Sequence, residues 1–273
     1  MITHKTGFAY LKSAEAPVPE RIRLTPWARV EGTFRAGSKP LADVSLDLST
    51  NAIQSHGEGE PSIFTRHDTT TGPDGRFVFE RVFPGDGRLG RNIVFMVDDG
   101  ATEVTSSKKV RVQLTAGETS HVDVGGDGRP VVGKLEPAAG VKDKVLWNFA
   151  IVQVNIGLPK LPAPPVPAGV QNDQQRYQVW WKEWQLTDEG QAWSGMLEAN
   201  ERMTETSPGF TASIDRNGTF RIDDVPPGNY VLSVRFDKQN AVGQLRDYKF
   251  AVSASGDENS EEPIDLGVLQ LER

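Results

Sequence analysis

The sequence predicts an all-β chain of two tandem antiparallel β-sandwiches, the second carrying a Pro-rich and helical insertion. Three observations predict it. Two fifteen-residue segments repeat at a constant offset of 143 positions (Gly218 against Gly75, Phe220 against Phe77). Each segment alternates apolar and polar residues with period 2. The second copy holds about 42 more residues than the first between its opening strand and its repeated segment, because Gly133 follows Gly32 by only 101 positions.

The first copy of the repeat runs from Thr71 to Gly85 and the second from Ile214 to Gly228. Asp74-Gly75 and Asn217-Gly218 are dipeptides that tolerate positive φ and suit a two-residue hairpin turn. After each turn Phe77 and Phe79, or Phe220 and Ile222, face inward, with Arg76, Val78 and Glu80, or Thr219, Arg221 and Asp223, facing out. The Pro-Gly that follows ends the strand, since proline cannot donate to a ladder. New strands are expected at 92–97 and 230–236. Opening strands are expected at 28–34 and 130–135.

With these residues in place the sequence resembles the carboxypeptidase regulatory-like domain family, whose fold is a prealbumin-like (transthyretin-like), Ig-like β-sandwich also related to B-type surface repeats. The residues that carry the resemblance are the opening Val30-x-Gly32 and Val131-x-Gly133, the run Lys39 to Leu46, the repeated D/N-G-x-F-x-[FI]-x-x-V-x-P-G pattern, and Tyr230 after the second Pro-Gly. The first copy departs from the pattern after Gly85, where Asp86 to Arg91 reads as a stretched loop. The resemblance implies two tandem copies: residues 28–127, and residues 128–273 with an insertion at about 156–203. Residues 1–27 read either as closing strands of a preceding copy or as strands added to the first sandwich.

The insertion has two parts. Residues 156–169 hold five prolines and read as a polyproline-type strut. Residues 172–203 read as helix, with Asn172 as the first N-cap and a break with a second cap at Thr187 to Gly190. Tyr177, Trp180, Trp181 and Trp184 share one helical face, and Trp193, Met196, Leu197 and Asn200 share another. Helical spacing suits a packing stripe that docks the pair on a sheet face. The functional alternative is an aromatic platform for a glycan or a protein partner, built from Tyr177, Trp180, Trp181, Trp184 and Trp193.

Composition excludes several chemistries. The 273 residues contain no cysteine, so there is no disulfide, no thiolate metal site and no thiol nucleophile. Lys plus Arg is 30 against 37 for Asp plus Glu, a net charge of −7 that argues against a nucleic-acid partner. No apolar run approaches the ~20 residues of a membrane span. The first 25 residues lack the apolar core of a signal peptide. A chain that opens on closing strands is expected to be part of a longer protein or to have a misplaced start.

Motifs for catalysis are weak. Gly85 to Gly90 matches G-x-G-x-x-G but precedes a strand rather than opening a helix. Gly128 to Lys134 matches a phosphate loop, but Leu135 stands where the magnesium-binding hydroxyl is needed. His56, His67 and Asp68 form the one metal candidate worth naming. Asp98-Asp99-Gly100 and Asp215-x-Asn217 suggest calcium only faintly. A crosslink from Lys134 or Lys144 to Asn148 is a further option by analogy with surface repeats of related fold. No cofactor is expected. The resemblance implies a non-enzymatic spacer or accessory module of a bacterial extracytoplasmic protein, periplasmic or at the cell surface. Its partners would be other domains of a larger envelope protein, a surface protein or a glycan. A metal-dependent hydrolase is the remaining rival.

Overall fold

The computed structural model describes residues 1–11, 20–53, 63–96, 102–141, 145–236, 243–254 and 262–273. Three short strands come first: β1 (Ile2–His4), β2 (Gly7–Ala9) and β3 (Thr25–Pro26). The first sandwich follows with β4 (Ala28–Thr33), the two-residue ribbon β5 (Arg35–Ala36) and β6 (Lys39–Pro40), β7 (Ser45–Ile53), β8 (Ile63–Thr70), β9 (Arg76–Val82), β10 (Gly85–Met96), β11 (Thr102–Leu114) and β12 (Thr119–His121). The second has β13 (Arg129–Glu136), a 3-10 turn at Trp147–Phe149, β14 (Ala150–Ile156), α1 (Gln174–Gln185), α2 (Asp188–Thr206), β15 (Phe210–Ser213), β16 (Thr219–Val225), β17 (Gly228–Phe236), β18 (Leu245–Val252) and β19 (Ile264–Gln270).

The strand orders of the two sandwiches coincide. The first pairs β12-β4-β9 in one sheet and β11-β10-β7-β8 in the other; the second pairs β19-β13-β16 and β18-β17-β14-β15. Between its two sheets each sandwich buries its own core. Val30, Leu46, Leu48, Phe77, Phe79, Leu89 and Val124 fill the first. Val131, Leu135, Val152, Val154, Phe220, Ile222 and Leu232 are among those that fill the second. The inward residues expected from period-2 alternation are therefore the core residues. The sandwiches are not wholly antiparallel, because β12 runs parallel to β4 and β19 parallel to β13.

The repeated segment is not a hairpin. Its turn joins strands of different sheets: β8 to β9 in the first copy, β15 to β16 in the second. Gly75 and Gly218 do take positive φ, at 74° and 84°. The turn closes with Gly72 donating to the Arg76 carbonyl at 2.8 Å, and Asp215 to that of Thr219 at 2.8 Å. The strands then part. Beneath each turn lies the end of the opening strand: Phe34 donates to the Gly75 carbonyl at 2.9 Å and Leu135 to that of Gly218 at 2.8 Å. Alternation reports which face is buried but not which neighbour a strand pairs with, so a corner between sheets reads like a hairpin.

Two further expectations change. Asp86 to Arg91 is not a loop, because β10 begins at Gly85 and Leu89 is wholly buried. Gly87 and Gly90 lie against neighbouring strands: a Cβ on Gly87 would come within 3.1–3.3 Å of Leu114, Leu48 and Val112, and one on Gly90 within 3.0 Å of the Lys109 side chain. The glycines serve strand packing. At the N-terminus, β1, β2 and β3 form a small sheet of their own. Of residues 1–27, read as closing or added strands, residues 22–24 lie outside this sheet. Phe8 and Trp27 dock on Phe83, with centroids 4.7 and 4.8 Å away, and Trp27 donates to the His4 carbonyl at 2.8 Å.

Candidate functional site

The insertion leaves the sandwich after Ile156 and returns at Phe210. The first helix is capped by Asp173, whose carboxylate accepts from the amides of Gln175 and Arg176 at 3.1 Å each; the expected cap, Asn172, lies one residue too early. Thr187 caps the second helix, as expected, accepting from Gly190 at 3.1 Å. Gly190 packs against the end of α1 so closely that a Cβ would fall 2.0 Å from the Trp184 carbonyl oxygen.

Tyr177, Trp180, Trp181, Trp184 and Trp193 come together as one cluster. Trp180 stacks on Trp184 at 5.6 Å, and Tyr177 on Trp181 at 6.1 Å. Trp193 of α2 meets Trp181 and Trp184 edge-on at 5.5 and 5.8 Å. The other wall is the proline strut: Trp193 donates to the Pro162 carbonyl at 2.9 Å, and the buried Asn200 amide to that of Pro159 at 2.9 Å. The rings thus do not dock the helices on a sheet. The helices pack chiefly on each other, and Trp184 lies outside the sandwich core. Helical spacing disclosed that the rings share a face, but it could not show that the proline strut, 31 positions before Trp193 at Pro162, would stand against them. Nor do the rings form a uniformly exposed row. Trp184 is 6% exposed, Trp180, Trp181 and Trp193 are half-buried, and Tyr177 is exposed.

The metal candidate does not assemble. His56 lies outside the described residues. His67 and Asp68 are consecutive on β8, so their side chains leave opposite faces of the sheet. Asp68 sits outside with Arg66 at 3.4 Å and Asn92 at 3.2 Å. On the other face the His67 ring lies 6.5 Å from Phe83, its buried Nε2 has no hydrogen-bond partner, and burial lowers its pKa. Among the described residues no group of three His, Asp or Glu side chains is placed to hold a metal. Asp215 is occupied by its own turn, accepting from Asn217 and Thr219 at 2.8 Å each; residues 98–100 and Lys144 lie outside the described residues. Lys134 pairs with Glu136 at 3.5 Å.

The most highly constructed polar site is one that motif reading missed: the joint between the sandwiches. A bulge in β11 turns Lys108 inward, at φ 53°, and a bulge in β16 presents Asp224, at φ 61°. The Lys108 ammonium bonds the Asp224 carboxylate directly and its backbone carbonyl at 3.0 Å. Three backbone amides complete the cradle. Gly37 and Gly128 donate to one carboxylate oxygen at 3.0 and 2.8 Å, and Gly126 to the other at 2.9 Å. The connecting Gly125 and Gly126 adopt φ of 87° and 98°, and a Cβ on Gly125 would lie 2.2 Å from the Arg35 carbonyl oxygen. Around this centre Lys108 donates its amide to Gly209 at 2.7 Å, Thr211 donates to Ser107 at 2.9 Å, and Arg91 faces Asp223 at 3.6 Å. Burial pushes the Lys108 ammonium down to about 8, opposed by Asp127 and Asp223. The cavity here is about 80 Å³, well below the several hundred of an organic-ligand pocket. One sequence signal pointed to the joint: Asp224 occupies the position that Arg81 holds in the first copy, just where Gly125-Gly126-Asp127-Gly128 links the two.

No family model and no curated protein matches this chain. Among solved structures it is similar to a minor pilin of Streptococcus agalactiae, at 12% identity over 90% of this chain and 96% of that one, TM-score 0.29. A DUF3823 family protein of Bacteroides uniformis matches at 14% identity over 84% of this chain and 100% of that one, TM-score 0.26. A protein of Pseudomonas aeruginosa described as putatively carbohydrate binding matches at 13% over 37% and 88%, TM-score 0.23. These likenesses are remote, and the fold rests on the strand orders above. No described helix is long and apolar enough to cross a membrane.

Proposed function

We propose that the chain is a non-enzymatic structural module that holds two β-sandwiches, residues 28–127 and 128–273, in one fixed relation as a spacer in a larger bacterial extracytoplasmic protein. The observation that carries this reading is the joint. A flexible linker needs no buried ion pair, whereas here the Asp224 carboxylate gathers amides from the first sandwich (Gly37) and the linker (Gly126, Gly128) together with Lys108. Buried polar networks of this kind fix geometry more than they add stability. The resemblance to the carboxypeptidase regulatory-like family supports the same use, and an envelope or cell-surface setting with it. Spin labels on one engineered cysteine per sandwich, in a chain that has no native cysteine, test the reading. A single narrow distance is expected for the wild type and a broad distribution for Asp224→Ala. A broad wild-type distribution would refute it.

A second reading gives the insertion a binding role for a glycan or a protein surface. It is favoured by Tyr177, 37% exposed, and the half-buried Trp180 and Trp181, which lie together on the rigid support of Trp184 and Trp193. Binding on a glycan array that disappears with Trp180→Ala or Trp181→Ala supports it.

A further inference from the structure

We propose that the chain binds a carboxylate carried on a six-membered ring, in the pocket between its N-terminal three-stranded sheet and the first sandwich. The pocket is open, with a volume of about 530 Å³, and its walls include His4, Lys5, Trp27, His67, Arg81 and Phe83. That volume lies within the range of small-molecule sites. No Asp or Glu is among the described residues that line it, although the chain as a whole carries a net charge of −7. Positive charge is therefore gathered here against the overall balance.

Local structure brings each cation to the pocket. Strict alternation along β9 would turn Arg81 into the core beside Phe79. A bulge prevents this, because Glu80 and Arg81 lie between the pairs Ala28–Val82 and Val30–Phe79. Val82 is buried again, while Glu80 and Arg81 both stay outside. Bulges re-aim side chains in this way. Lys5 stands at the tip of the β1–β2 hairpin, just after the pair His4–Gly7. The nearby carboxylates are engaged elsewhere: Glu80 with Arg29 at 3.0 Å, and Asp68, on the opposite face of β8, with Arg66 at 3.4 Å. Among the described residues neither Lys5 nor Arg81 has an ion-pair partner.

Two further features narrow the ligand. His67 is opposite the wholly buried Leu48 in the β7–β8 register, so its ring turns to the core side of β8. Its buried Nε2 has no hydrogen-bond partner, and such atoms are rare in folded proteins. A carboxylate in the pocket would supply the counter-charge that favours the protonated ring. The second feature is aromatic. Phe8, Trp27 and Phe83 pack together with centroids 4.7–5.1 Å apart. Phe8 and Phe83 are buried, but Trp27 is only half-buried. Its indole N–H is already given to the His4 carbonyl at 2.8 Å, so what it offers a ligand is its ring face. A flat body, an aryl ring or the apolar face of a pyranose, stacks on such a face. Its carboxylate then meets the guanidinium fork of Arg81 and the ammonium of Lys5. A bare inorganic anion would leave the ring face unused.

Two-dimensional NMR spectra of the full chain, titrated with benzoate and separately with glucuronate, test the proposal. Saturable shifts are expected at the Trp27 indole N–H and at the amides of residues 3–5 and 81–83. The dissociation constant should be about 1 mM, as suits so small a ligand, and should rise with salt. The two probes distinguish an aryl acid from an acidic sugar, and saturation by either supports the site. Benzamide, of the same shape as benzoate but uncharged, should bind about tenfold more weakly or not at all. Lys5 and Arg81 are exposed, so Lys5→Gln with Arg81→Gln should leave the fold intact and weaken the acid by about tenfold or more. The ring C–H signals of His67 should titrate at higher pH with the acid bound than without it. Failure of both acids to saturate, equal binding of benzamide, unchanged affinity in the double variant, an unmoved His67 titration, or shifts confined to Trp180 and Trp181 would overturn the proposal. None of these outcomes alters the spin-label distance between the sandwiches, so the spacer reading stands or fails separately.

Discussion

Lys108 of the first sandwich and Asp224 of the second form an ion pair whose side chains are 7% and 1% exposed, and both residues have left-handed backbones. Such conformations cost a non-glycine residue on the order of 1 kcal/mol each and persist where the surroundings over-determine them. Removing one partner leaves the other charge buried. Asp224→Ala also orphans the amides of Gly37, Gly126 and Gly128. We expect it to lower stability in urea denaturation by about 3–5 kcal/mol. Lys108→Met, which leaves the carboxylate its three amides, should cost less. If the two losses add in the double variant, the pair is not a coupled unit.

Tyr230 gives the fold an alkaline limit. Its hydroxyl donates to the Pro226 carbonyl at 2.9 Å, and burial pushes its pKa up to about 12 from an ordinary 10. The unfolded chain therefore loses this proton first as pH rises. The contribution of Tyr230 is fully present below pH 10 and is lost progressively as pH rises through about 12. Thermal midpoints measured from pH 8 to 12 should fall in the upper part of that range for the wild type, and less steeply for Tyr230→Phe. An identical profile for the two would remove Tyr230 as the cause.

The corner glycines should tolerate no side chain. At Gly75 a Cβ would lie 2.7 Å from the Phe34 carbonyl oxygen, and at Gly218 2.6 Å from that of Leu135. In both, backbone rather than a movable side chain is in the way. Gly75→Ala and Gly218→Ala should each destabilise by more than the ~1 kcal/mol of the left-handed penalty alone. Equilibrium denaturation of the two variants measures this, and near-neutral values would mean that the corners are not under this constraint.

The aromatic cluster should melt separately from the sandwiches. Trp184 packs with Trp180, Trp181 and Trp193 rather than with either sandwich core. Trp184→Ala, a large truncation in a small core, should cost that unit about 3–5 kcal/mol. Hydrogen exchange should then accelerate across residues 174–206 while amides of β14 and β17 keep their protection. Loss of protection in both regions would place Trp184 in the main core after all.

Much of the fold was legible in the residues. Phe77, Phe79, Phe220 and Ile222 face inward because a strand alternates its faces and apolar surface leaves water. Gly75 and Gly218 take positive φ because they alone carry no Cβ penalty there. The stripe Tyr177, Trp180, Trp181 and Trp184 forms a helix face because 3.6 residues make a turn. Pairing was less legible. The Asp74-Gly75 corner passes between sheets, and Gly85 to Arg91 is strand, because a neighbouring strand distant in sequence supplies the hydrogen bonds. The helix start moved by one residue because Asp173, not Asn172, stands where its oxygen reaches two amides.

The sequence by itself determined what is local or periodic: two β units at an offset of 143, their buried faces, their glycine turns, and an insertion of proline and tryptophan. Tertiary structure alone decided what those parts meet. It set the tryptophans against proline carbonyls rather than a sheet. It sent His67 and Asp68 to opposite faces. It also brought Lys108 to Asp224 across 116 positions. The reason is physical: periodicity follows from backbone geometry, which acts over a few residues. A buried charge finds its partner only when separate elements close around it and exclude water.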